Sequence, residues 1–233
     1  MNRNYIARGV LIAAFTLASL PAQEANKQVV QEKLAAIKQS LAQNQASLRT
    51  YSWTETTQVS LKGEVKKVLQ NSCRYGPDGK IAKTPIGGEG GESEKHRRGL
   101  RGKIVEKKVD ELKDYMDRVG SLISRYLPPN PQDMQAAFKA GKATLEKSSG
   151  ELMFNNYVKP GDQFTFHFDP ATKKLRALDV STYLDDQQDT VTVAAQFSSL
   201  PDGTNYLEQS TLTATAKNIQ IKKTNFEYQK IGQ

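Results

Sequence analysis

The 233-residue sequence predicts an α+β fold: a curved antiparallel sheet, shaped as a half-open barrel, covered by an N-terminal helix and a central helical hairpin. Three observations lead there. From Glu151 onward, strand-like runs follow one another with only short turns between them. Two earlier segments carry apolar residues at helical spacing. An antiparallel sheet of about eight strands twists strongly enough to curl, and the two striped helices are the available cover for its apolar concave face.

The N-terminus comes first. Arg3 and Arg8 precede an uncharged apolar run from Gly9 to Leu20, and Ala22 stands where a signal peptidase cuts, with Leu20 at the −3 position. This is the pattern of a cleavable signal peptide over residues 1–22. The run is shorter than the ~20 residues a membrane-spanning helix needs, and no later segment is apolar enough to span. The expectation is a single domain over 23–233, working in the periplasm or outside the cell. The formal charge is +8, and Arg3 and Arg8 account for two of those charges. Outside the cytoplasm the available partners for a basic surface are anionic lipids and acidic polymers rather than nucleic acid. The lone cysteine, Cys73, forms no intramolecular disulfide and is expected as a small buried strand residue.

Residues 24–48 form the first predicted helix, with Val30, Leu34, Ile37, Leu41 and Leu48 on one stripe. Tyr51 to Leu61 and Glu64 to Tyr75 are strands joined by the Lys62-Gly63 turn. In the first, Tyr51, Trp53, Val59 and Leu61 share one face, and Thr54, Thr56 and Ser60 the other. Gly76-Pro77-Asp78-Gly79 closes the hairpin. Residues 85–102 hold six glycines and many charges, and predict a mobile loop.

A second helix is expected over 103–127, with Val105, Val109, Leu112, Met116, Val119 and Ile123 stepping along one face until Pro128-Pro129 stops it. Asn130 caps a third helix, about 131–147, opening with Pro131 and burying Met134, Ala137, Phe138 and Leu145. The remaining strands are 151–158, 162–169, 174–184, 190–199, 204–216 and 218–230. Short connections make sequence neighbours pair antiparallel.

Helix 24–48 running into Leu48-Arg49-Thr50-Tyr51-Ser52-Trp53, the hairpin through Lys62-Gly63, a helical segment and a late meander make up an element order. That order resembles the periplasmic lipoprotein carriers of the LolA and LolB type and their LppX-like relatives. The hairpin at 103–147 is longer than the usual lid of that superfamily, and the 85–102 loop is not among its signatures. The resemblance implies a curved sheet and helical lid around an apolar cavity for lipid or lipoprotein acyl chains. Trp53, Val59, Leu112, Met116, Phe164 and Phe166 are the candidate cavity residues, each of which would serve equally as plain core. Lys95, Arg97, Arg98, Arg101 and Lys103 are the candidate contact to an anionic membrane surface, with a solvated charge run as the alternative.

Catalytic chemistry finds little footing. There is no Gly-x-Ser-x-Gly elbow, and the two histidines, His96 and His167, lie in a loop and a strand. A Cys73–His167 pair has no support in spacing. Asp185, Asp186 and Asp189 lack the EF-hand pattern and read as a solvated turn. The expectation is no enzyme, no metal and no cofactor. Two functions remain: a carrier for a hydrophobic ligand, or an envelope scaffold with a filled core.

Overall fold

The computed structural model describes residues 20–87, 100–146, 148–172 and 174–232. The first helix, α1, spans Leu20–Leu48. The expected signal-peptide residues before Leu20 lie outside the described part. Val30, Leu34 and Ile37 are buried along one stripe of α1, as the spacing predicts.

Among the described residues ten strands follow, in one sheet: β1 Tyr51–Leu61, β2 Glu64–Tyr75, β3 Ile81–Pro85, β4 Ala143–Glu146, β5 Glu151–Asn155, β6 Gln163–Phe168, β7 Leu175–Tyr183, β8 Thr190–Ser199, β9 Asn205–Ala214 and β10 Ile219–Lys230. Their order is β3-β2-β1-β10-β9-β8-β7-β6-β5-β4. Every pairing is antiparallel. Each of β4 to β10 pairs with its sequence neighbour, and β1 then adds to β10, so the early hairpin completes the late meander. The sheet is curved and does not close, because β3 and β4 remain its two edges. Helices α2 (Leu100–Ile123) and α3 (Pro131–Lys139) lie in the chain between those edge strands.

Local chemistry sets the turns. Lys62 and Gly63 both take positive φ (54° and 81°), the geometry that matches the twist of a two-residue hairpin. The Asn130 side chain accepts from the backbone N–H of Gln132 and Asp133, and Pro131 opens α3.

Several expectations need correction. The third helix does not run to residue 147. It ends at Lys139, Gly141 takes φ 73°, and the Gly141 N–H returns to the Phe138 carbonyl. A left-handed glycine ends a helix in this way. The chain then enters β4, where Leu145 pairs with Leu152. The second helix ends at Ile123, ahead of the Pro128-Pro129 stop, and Val109 is 53% exposed, so the buried stripe begins farther along. The expected loop 85–102 is strand at Pro85 and helix from Leu100, with Ile86 N–H bonded to the Gln70 carbonyl. Residues 88–99, its centre, lie outside the described part. The clean two-faced alternation in β1 also fails. Ser60 and Thr54 are buried, Val59 is only half-buried, and the register shifts between Ser52 and Thr54 and again between Val59 and Ser60. Each shift interrupts the two-residue period on which the alternation depends.

The core joins all three helices to the concave face of β4–β10. Phe154, Phe164, Phe166, Leu152, Val119, Met134 and Val191 are fully buried. Phe164, Phe166, Phe154, Tyr126 and Tyr157 form an aromatic cluster with centroid separations of 4.5–6.2 Å.

Polar contacts pin α2 and the turn after it to the strand ends. The Asp162 carboxylate is buried and accepts from the Tyr126 hydroxyl and from the backbone N–H of Tyr157, Val158 and Lys159. Tyr115 donates to Asp189 at 2.7 Å, and Arg118 pairs with Asp185. The acidic β7–β8 turn is therefore a docking point for α2.

Candidate apolar cavity

Between the cover and the sheet lies a cavity of about 980 Å³. Small-molecule sites enclose roughly 300–1,000 Å³, so this one stands at the upper end. Its walls come from distant parts of the chain. The C-terminal half of α1 gives Ile37, Lys38, Ala42, Asn44, Gln45 and Leu48. The end of α2 and the segment after it give Ile123, Leu127, Pro128, Pro129 and Pro131. The sheet gives Phe166 and Phe168, Leu175 and Leu178, Val193, Ala195 and Phe197, Tyr206, Leu207 and Leu212, and Ile221. Tyr75, Gly79 and Ile81 close it from the β2–β3 hairpin.

The sequence builds this lining by simple means. Phe166 and Phe168 alternate with Thr165 and His167 along β6, as do Val193, Ala195 and Phe197 with Ala194 and Gln196 along β8. Alternation sends the apolar set inward. Small Ala195 and Ser210 leave room where larger residues would fill the hollow. Gly79 takes φ 76°, a left-handed backbone in which an L side chain is strained. The Lys33 ammonium lies 4.3 Å from the Phe168 ring centroid.

Of the six predicted cavity residues, Phe166 lines it. Phe164 is fully buried in the neighbouring aromatic cluster. Trp53 sits one layer behind the wall, stacked on Tyr228 and tilted against Tyr75. Val59, Leu112 and Met116 are half-buried and do not line it. The α1 residues and the proline segment were not expected in the lining. The only sequence signal for them was that the stripe of α1 reaches Leu48. Of the predicted basic contact, Lys95, Arg97 and Arg98 lie outside the described residues. Arg101 and Lys103 fall at the start of α2, with their side chains also outside.

The arm of the sheet next to the cavity is polar. Glu55, almost wholly buried, pairs with Lys83 at 2.6 Å. Cys73 is fully buried beneath them. Burial first, and then the Glu55 charge, pushes its thiol up, which makes it a poor nucleophile. His167 hydrogen-bonds Glu151 at 3.1 Å and Asp179 at 2.7 Å. Five strands stand between β2 and β6, so Cys73 and His167 do not form a pair. Among the described residues no group of three or more His, Cys, Asp or Glu side chains is gathered as a metal would need, and no helix is long and apolar enough to cross a membrane. A second, smaller depression of about 520 Å³ beside α3 is lined by Arg125, Asp133, Lys142 and Tyr157 among others. It lacks the apolar wall of the first.

No family model matches the sequence, and no curated protein matches it. The crystal structure of a DUF1329 family protein from Desulfovibrio piger is similar to this chain at 10% identity, covering 89% of this chain and 95% of that one, with a TM-score of 0.43.

Proposed function

We propose that this chain is an exported binding or carrier protein for a hydrophobic ligand, a lipid or the acyl chains of a lipoprotein, and not an enzyme. The observation that carries the reading is the cavity of about 980 Å³. It is walled by aliphatic and aromatic side chains in a molecule that has a filled aromatic core beside it. Each methylene moved from water into such a space is worth about 0.8 kcal/mol, so a single acyl chain gains substantial affinity without any specific contact. The signal-peptide pattern and the element order resembling LolA-type carriers point the same way. An envelope scaffold with a filled core would have no use for such a hollow.

The test is direct. The purified protein is extracted with organic solvent, and the extract is examined for lipid by mass spectrometry. It is then titrated with a fluorescent fatty acid. Lipid in the extract and saturable binding are expected. Ser210→Trp, which places an indole in the hollow, is expected to cut affinity by at least about tenfold while circular dichroism stays that of wild type. Absence of both lipid and probe binding would remove the carrier reading.

A further inference from the structure

Among the described residues the charged side chains of the cavity wall are all of one sign: Lys38 on α1 and Lys223 on β10 line it, and no aspartate or glutamate does. Neither lysine makes a hydrogen bond or ion pair among the described residues. The carboxylate close by on the same arm is already engaged. Glu55 lies two residues along β1 from Thr57, the register partner of Lys223, and it is held by Lys83. On the other side Lys223 pairs in register with Ser210, whose side chain also lines the cavity. Asn44 and Gln45 add neutral polar groups from α1, on the same helix as Lys38. Lys223 is half-buried and Lys38 exposed, and an ammonium beside an apolar hollow attracts an anion that arrives with the ligand.

We infer that the cavity takes an amphiphile with an anionic headgroup, a carboxylate or a phosphate, whose chain fills the apolar hollow while Lys38 and Lys223 receive the charge. This rests on the carrier reading and narrows it from hydrophobic ligands in general to anionic ones. Charge-assisted hydrogen bonds of this kind are worth about tenfold or more in affinity. A neutral amphiphile with the same chain would forgo that gain.

Delipidated protein is titrated with cis-parinaric acid and, separately, with its methyl ester. The two share one chain and differ by the charge. The acid is expected to bind about tenfold more tightly than the ester. In the Lys38→Gln/Lys223→Gln double variant that ratio is expected to collapse towards one. Lys217→Gln, which removes an equal charge from an exposed site outside the lining, is expected to keep it. Competition by oleic acid against oleoyl lysophosphatidic acid then tells carboxylate from phosphate, and preference for either supports the inference. Equal affinity for acid and ester in wild type overturns it and leaves the carrier reading standing. So does a ratio that survives in the double variant. If neither probe binds, both readings fall together.

Discussion

The two arms of this sheet are made of the same kind of strand and end up in opposite states. Strands β5 to β8 bury most of their concave face: Phe154, Phe164, Phe166, Leu178, Val180 and Val191 are at most 1% exposed. Strands β2 and β3 bury almost nothing. Every residue of β3 is exposed, and Val65, Val68 and Leu69 of β2 are 53%, 55% and 40% exposed. The difference is cover. The stripes of α1 and α2 join the core over the first arm, whereas the second carries charged Glu55 and Lys83 on its concave side. The cavity lies at the seam, where the apolar face continues but the packing thins. A hollow at the edge of a cover, beside a finished core, is what a binding site needs and what a stability-driven fold would avoid.

Substitutions sharpen or break that contrast. The largest effect is expected at Phe164→Ala in the filled arm, about 4 kcal/mol lost, against a change within about 0.5 kcal/mol for Val68→Ala in the open arm. Urea unfolding of both would read it, and similar losses would mean that the open arm is covered in solution. Asp162→Ala comes next, at about 3 kcal/mol, because the Tyr126 hydroxyl and three backbone N–H groups lose their acceptor.

The smallest effect tests the seam itself. Tyr51 of β1 donates to Asp202 in the β8–β9 turn at 2.6 Å. That bond, with the Thr204 N–H, holds the Asp202 carboxyl down at about 2, below its ordinary 3.8. A lowered carboxyl contributes stability above its unfolded value and loses it as pH falls through the folded one. Asp202→Asn is therefore expected to be slightly less stable than wild type at neutral pH. The gap narrows below pH 3.8 and closes near pH 2. A gap that persists in acid would show that the tie does not depend on the charge of Asp202.

Much of this architecture was legible in the chain. The bounds of β1 and β2 follow from a run of Thr, Val and aromatic residues either side of Lys62-Gly63. The meander from β5 to β10 follows from alternation punctuated by turns, and the N-cap of α3 from Asn130-Pro131. Strand β3 was not legible, because Ile81–Pro85 has no buried face and owes its state to the β2 edge beside it. Leu145 was misplaced because its spacing continues the helical phase, and only Gly141 breaks it. Phe166 was readable as a cavity residue from its strand, but Phe164, two residues away, carries the same signal and packs into solid core.

The sequence by itself determined most of the elements, the antiparallel pairing of sequence neighbours and the need to cover a curled sheet, because periodicity and turn chemistry act over a few residues. Only the tertiary structure decided where the cover stops. The cavity draws on α1, the proline segment after α2, the β2–β3 hairpin and strands β6 to β10, and no local pattern records how far one apolar surface overlaps another. It also decided that the charges on that wall, Lys38 and Lys223, share one sign. They are 185 positions apart in the chain and line one cavity only because packing brings a helix against the concave face of the sheet.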